Sequence, residues 1–214
     1  MIFAKIDYIN LLPFYIFIKK ELKNAQFKQS INYHKDFPSN INKRFKQRKI
    51  DAAFISSIES KRGNFYRLDI GIVAKGEIRS VLVKKDSNFK EDSHSATSNI
   101  LAKKLKIDGE VIIGDKALKR FCNEPDRYID LAKEWESRYR LPFVFARLCV
   151  NKNHNFYKKL SKRFLSKKIY IPQYILKNYS KKRDIPTKEI NEYLKLVNYE
   201  LSSKEIISLK RFLR

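Results

Sequence analysis

Short apolar runs, each ending on a small polar residue, alternate with stretches of helical spacing along this chain, and that alternation restricts it to an α/β design. Ile2, Phe3, Ala4 and Ile6 read as a buried strand that gives way at Tyr8-Ile9-Asn10 to a helix over Leu11–Leu22. Pro13 falls in the first turn of that helix, where its missing N–H breaks no bond. Gln26–Tyr33 is expected to be a second strand, Asp36–Arg48 a basic amphipathic helix, and Ala52–Ile55 a third strand ending at Ser56-Ser57.

Leu68–Ala74 and Ile78–Val83 form a long extended stretch, with Gly76 between them where a bend or a close ligand approach fits. Lys85–Ser95 reads as a loop and Thr97–Leu105 as a helix with hydroxyls at its start. A strand, Val111–Ile113, ends at Gly114-Asp115, and Lys116–Phe121 reads as a helix. Phe143–Val150 is another strand, and from Asn153 the chain is mostly helical, broken near Pro172 and Pro186. Ser202-Ser203-Lys204-Glu205 is a capping signature for a last helix.

This order suggests two lobes, 1–78 plus 148–214 and a smaller 79–147, with a cleft near the two crossings.

The chain has 214 residues, enough for one large domain or two small lobes, and a net charge of +24. Such a field favours an anionic partner without choosing among nucleic acid, lipid and a small anion. The basic residues are spread along the chain and no nucleic-acid module signature is present, so a specific nucleic-acid partner is not expected. The apolar run Leu11–Ile18 is too short to span a bilayer, and its basic pair, Lys19-Lys20, follows it rather than preceding it. With only Cys122 and Cys149, a disulfide framework is excluded, and a reducing, cytoplasmic setting is expected with no membrane partner. His34, His94 and His154 lack metal-ligand spacing. Neither a G-x-G-x-x-G, a G-K-[ST] nor a G-x-S-x-G occurs, so no metal or nucleotide cofactor and no serine-hydrolase elbow is expected.

Three strand ends carry small polar groups: Asn10, Ser56-Ser57 and Gly114-Asp115. Ligands of open α/β sheets bind beyond the carboxyl ends of strands. Thr97 and Ser98, at a helix start, would add N–H donors for an anion. Each of these residues alone is also an ordinary turn or cap; together they favour a cleft for a small oxygen-rich anion.

An ordered set of segments resembles the menaquinone-biosynthesis family of the futalosine pathway, and within it the chorismate dehydratase branch. The segments include Ile6-Asp7-Tyr8-Ile9-Asn10-Leu11-Leu12-Pro13, the run from Asp51 to Ser60, and Gly76-Glu77-Ile78-Arg79-Ser80-Val81-Leu82-Val83. They continue with Ser95-Ala96-Thr97-Ser98, Ile113-Gly114-Asp115-Lys116-Ala117-Leu118, Asp130-Leu131 with Trp135, and the run from Leu141 to Ala146. The family often carries Arg where this chain has Ala96, which removes a charged anchor there.

The resemblance implies an α/β, two-lobed fold like the type 2 periplasmic binding proteins, with a central cleft. It implies a cofactor-free hydro-lyase converting chorismate to 3-(1-carboxyvinyloxy)benzoate and water. Asn10 and Ser80 would contact the reacting region, and Ser56, Ser57, Gly76, Thr97, Ser98, Gly114 and Asp115 would bind the substrate. Ser80 also reads as a plain strand residue of the crossing. The sister branch, which makes 1,4-dihydroxy-6-naphthoate, and a non-catalytic anion-binding module are the alternatives. A small anionic substrate is the expected partner, with a monomer or homodimer as the working form.

Overall fold

Strand β6, Phe143–Val150, forms where the sequence places it and is the spine of the larger sheet. The computed structural model describes residues 1–22 and 24–214. Strand β1, Ala52–Ser56, lies antiparallel along one edge of β6, with Ala52 opposite Val150 and Ser56 opposite Ala146. Strand β2, Tyr66–Ala74, lies antiparallel along the other edge, and β7, Val197–Glu200, adds to β2. In the order β1-β6-β2-β7 the strand β1 is at an edge, yet the Phe3 segment and α3 (Pro38–Lys46) cover it and bury it completely, which explains its apolar reading. Where β2 shifts register against β6, a Cβ on Gly71 would stand 2.3 Å from the Ala146 carbonyl oxygen, so only glycine lets the backbones approach.

The smaller sheet has β3, Val81–Lys84, at its centre, between β4, Glu110–Ile113, and β5, Tyr128–Asp130, both antiparallel to it. Helices α1 (Leu12–Glu21), α2 (Ala25–Tyr33) and α3 (Pro38–Lys46) precede the larger sheet. Helices α4 (Ala96–Leu105), α5 (Gly114–Asn123) and α6 (Leu131–Tyr139) belong to the middle of the chain. Helices α7 (His154–Leu165), α8 (Gln173–Arg183), α9 (Thr187–Leu196) and α10 (Ser203–Leu213) complete it. Pro172 and Pro186 stand at the N-caps of α8 and α9, and Ser202 and Glu205 form the capping box of α10.

Several expectations are corrected. Gln26–Tyr33 is helical: Asn24 accepts a hydrogen bond from the Phe27 N–H at 2.9 Å, and Phe27 and Ile31, four residues apart, bury the same face. Ile2–Ile6 makes only single parallel bridges, Phe3 to Ala52 and Lys5 to Lys35, instead of a strand. Ile78–Ser80 is a bend, because Arg79 takes a φ of 61° and Asp130 grips the backbone there. One Asp130 oxygen accepts from the N–H groups of Ile78 and Arg79 at 2.8 and 2.6 Å. The other caps α6, accepting from Ala132 and Lys133 at 2.9 and 3.1 Å. β7 sits in the stretch expected to be helical; its partner is the free edge of β2, which local spacing does not reveal.

Between the sheets the core is continuous. Trp135 of α6, Phe143 of β6 and Phe212 of α10 pack edge to face, and the Trp135 indole N–H donates to Ser208 Oγ at 3.0 Å. No helix among the described residues is long and apolar enough to cross a membrane.

Candidate functional site

A cavity of about 70 Å³ lies between the two sheets. Its walls are mostly apolar, including Ile6, Phe54, Ile72, Ile78, Val81 and Phe145, and among the described residues no Lys, Arg, Asp or Glu lines it. The polar groups are few: Asn10, Ser56, Ser80, Ser95, Ser98 and the Tyr8 hydroxyl.

Asn10 follows Ile6 into a 3-10 turn before α1, and the Tyr199 hydroxyl donates to its carbonyl at 2.6 Å. Its side-chain Oδ1 is buried and has no hydrogen-bond partner. A buried acceptor without a donor costs about 1–3 kcal/mol. Such an atom in a cavity wall marks a place for a ligand donor.

The serine hydroxyls are each supported from behind. Asn42 Nδ2 donates to Ser56 Oγ at 3.0 Å, the buried Tyr193 hydroxyl donates to Ser80 Oγ at 2.9 Å, and Ser95 Oγ donates to Ser98 Oγ at 2.8 Å. The Ser56 oxygen thus accepts from the protein and keeps its own proton to give, whereas at Ser80 and Ser98 the partner is a hydroxyl that can rotate. Burial pushes the Tyr193 phenol up, so it stays a neutral donor, and the Asn10 amide stands beside it. Burial, with Asp92 and Asp115 nearby, likewise keeps Tyr8 protonated.

Helices α4 and α5 both start at the cavity, α4 capped by Ser95 and α5 opening on Gly114. Their N-termini carry partial positive charge. Neutral donors and two helix starts in an apolar enclosure suit an anion rich in oxygen.

The sequence matches the model of a family described as menaquinone biosynthesis, over residues 1–105 and 91–214. A curated protein of Campylobacter jejuni named chorismate dehydratase is 49% identical over 215 residues, covering 100% of this chain and 96% of that protein. The chain belongs to the menaquinone biosynthesis family. Its fold is that of periplasmic binding proteins, on two solved structures. A protein of Archaeoglobus fulgidus superposes with a TM-score of 0.65 at 12% identity, over 98% of this chain and 94% of that one. The alkanesulfonate-binding protein SsuA of Xanthomonas axonopodis pv. citri, bound to MOPS, superposes with 0.56 at 8% identity, over 99% and 91%. At those identities the likeness is one of fold.

Of the residues singled out in this family member's sequence, Asn10, Ser56, Ser80, Ser98 and Gly114 meet at the cavity. The others lie outside its lining. Ser57 is fully buried, its hydroxyl donating to the Val144 carbonyl at 2.5 Å. Thr97 Oγ1 accepts from the Ile58 N–H at 3.2 Å and so ties the end of β1 to α4. Gly76 turns the chain after β2 with φ at 125°, its open side facing no neighbour within 4 Å. Asp115 accepts from the Ile9 N–H at 2.9 Å and pairs with Arg183. Strand ends attract small polar residues for structural reasons too, and only the direction of each side chain separates the two uses.

Asn42, Tyr193 and Ser95 were not singled out. Asn42 had one signal: it falls beside Ile41 and Phe45 on the buried stripe of an otherwise basic helix. Tyr193 had none, since a tyrosine on an apolar helix face reads as core.

Gly114 holds a φ of 70°, and a Cβ there would stand 2.8 Å from the Tyr8 ring. Gly114→Ala is expected to lower the free energy of unfolding by about 1–2 kcal/mol through left-handed strain alone. Chemical denaturation would read this as a lower midpoint at an unchanged slope.

Proposed function

We propose that this chain is a chorismate dehydratase, a hydro-lyase that converts chorismate to 3-(1-carboxyvinyloxy)benzoate and water. The observation that carries the reading is the full-length relationship, at 49% identity, to the protein bearing that name. The cavity's inventory supports it. Chorismate is a dianion with a ring hydroxyl, and the cavity offers serine hydroxyl donors, two helix N-termini and one free amide acceptor.

In the reaction a ring C–H bond breaks, its electron pair forms the new ring double bond, and the neighbouring C–O bond breaks. The proton and hydroxide leave together as water, and aromatisation drives the step. Among the described residues no carboxylate, imidazole or thiol lines the cavity. A substrate carboxylate is therefore the proton acceptor we assign, and the protein's work is positioning. Asn10 Oδ1 holds the ring hydroxyl through its proton, and Ser80, backed by Tyr193, donates to the departing oxygen. Ser56 and Ser98 hold carboxylate oxygens, and the positive ends of α4 and α5 favour the charge, although the Gly114 N–H itself donates to the Ser80 carbonyl at 2.8 Å. Asp115, Thr97, Ser57 and Gly76 shape the site from outside its lining. The net charge of +24 draws the dianion from solution.

The lobes we assign are the two sheets with their helices, residues 1–78 plus the C-terminal part and a middle lobe from 79. β6 pairs with β1 and β2 along its length from Phe143, so we move the return boundary from 148 to that residue. The two cysteines are free, which suits a cytoplasmic enzyme.

The test is direct. Purified, metal-free protein incubated with chorismate is expected to yield a species lighter by one water, read by chromatography and mass. Unchanged chorismate with folded protein would shift the reading to the naphthoate-forming branch or to anion binding without chemistry.

A further inference from the structure

We propose that Asn42 sets the hydrogen-bond polarity of Ser56 and so makes the cavity select a carboxylate at that point; the identity of the carboxylate rests on the chorismate reading above. Asn42 sits on α3, outside the cavity lining and 7% exposed. It grips Ser56 twice. Its Oδ1 accepts from the Ser56 backbone N–H at 3.3 Å, and its Nδ2 donates to Ser56 Oγ at 3.0 Å.

The first bond decides the second. A backbone N–H can only donate, so the Asn42 oxygen must face it, and the amide NH₂ is thereby turned toward the hydroxyl. The Ser56 oxygen is committed as an acceptor. Among the described residues its own proton has no protein acceptor, and the side chain lines the cavity. A ligand atom at Ser56 must therefore accept. A carboxylate oxygen is rewarded there, and an N–H or O–H donor meets a proton instead of a lone pair.

Ser80 and Ser98 are supported in the same sense, but by hydroxyls, which can rotate. Ser56 is the position where the backbone removes that freedom. With no charged side chain in the lining, donor polarity is what sorts anions from neutral ligands once they enter.

Asn42→Asp tests this with a near-isosteric change. The aspartate still accepts from the Ser56 N–H but now offers an acceptor to Ser56 Oγ, so the hydroxyl proton turns away from the cavity. The expected result is a KM for chorismate raised by roughly ten- to a hundredfold, the range for a hydrogen bond to a charged group. kcat should change by only a few fold, while thermal stability should fall, because the new carboxylate is buried without a cation. In a Ser56→Ala background the same substitution is expected to leave KM nearly unmoved. Asn42→Ala, which removes both bonds, supplies a second cycle with the same expectation.

An unchanged KM for Asn42→Asp overturns the proposal. So does an equal rise in the Ser56→Ala background, which would be general charge repulsion or packing. Failure of both variants to fold would assign Asn42 to docking α3 on β1 and also overturn it. If the parent chain neither binds nor converts chorismate, the functional reading falls instead. Polarity is then read by thermal shift with benzoate: stabilisation of the parent that is lost in Asn42→Asp supports the proposal, and equal shifts or none overturn it.

Discussion

Asn10→Ala is expected to lower kcat for chorismate by roughly 10²–10³, the usual cost of removing one positioned polar group at a reacting centre. Asn10 Oδ1 is a buried acceptor without a partner, so the folded protein alone gains nothing from it. An unsatisfied acceptor of this kind is destabilising by about 1–3 kcal/mol. The substitution removes that penalty while opening a small void, and the melting temperature should stay the same or rise. A collapse in turnover with intact stability is the signature of an atom kept for the ligand. The measurement is kcat and KM by product chromatography beside a thermal melt. Near-parental turnover would remove Asn10 from the reacting region, and an equal loss of stability would make it a structural residue.

Arg183→Met is expected to destabilise the fold by about 3–5 kcal/mol near neutral pH, because it leaves buried carboxylates without their cation. Arg183, at the end of α8, pairs through Nε with Asp115 of α5 and through Nη2 with Asp7 at 3.1 Å. It also donates to the Asp7 carbonyl at 2.8 Å and stacks on the Tyr179 ring. One guanidinium thus joins the N-terminal segment, the middle helix α5 and the C-terminal helices behind the cavity.

After the substitution Asp7 keeps Lys5 at 3.0 Å and Lys35 at 2.7 Å, whereas Asp115 keeps only the Ile9 N–H. The loss should therefore depend on pH. Burial pushes the Asp115 carboxyl up, outweighing Arg183 and the Ile9 N–H. Without Arg183 it rises further. A carboxyl whose folded value exceeds the unfolded value, near 3.9, contributes stability below that value and loses it as pH climbs through the folded value.

Asp7 runs the other way. Burial would raise it, but Lys35, Lys5 and Arg183 together hold it well below the usual carboxylate range. Its contribution is present above the unfolded value and is lost as pH falls through the folded one. The parent consequently loses Asp7's share in acid, while the variant has less to lose. Both effects narrow the gap between variant and parent as pH falls, Asp115's above the unfolded value near 3.9 and Asp7's only below it, so a comparison at pH 8 and pH 5 reads Asp115. Denaturant unfolding at pH 8 and pH 5 should give a clearly smaller difference at pH 5. A gap that is equal or wider at pH 5 would mean that Arg183 acts by packing alone.

What the sequence determined by itself was whatever local chemistry controls. β6 and β1 were legible because strands largely buried on both faces are nearly continuous apolar runs, with Arg147 the one charged residue in β6. The starts of α8, α9 and α10 were legible because Pro172, Pro186 and Ser202 act on groups within one turn. Asn10, Ser56, Ser80, Ser98 and Gly114 could be picked out because the ordered motifs carry them, and all five reach the cavity.

Tertiary structure alone decided the rest. Gln26–Tyr33 fits a strand or a helix until Phe27 and Ile31 find a common face. Val197–Glu200 becomes β7 only because β2 leaves an edge open, 123 residues away at the Val197–Ala74 pair. Ser57 and Thr97 differ from Ser56 and Ser98 by one position and a turn of the backbone, which sends one hydroxyl to a carbonyl or an N–H and its neighbour to the cavity. Asn42, Tyr193 and Arg183 act across 14, 113 and 176 residues of chain. A hydrogen bond or ion pair that long in sequence leaves no periodic trace, because the spacing that creates it exists only after the chain has folded.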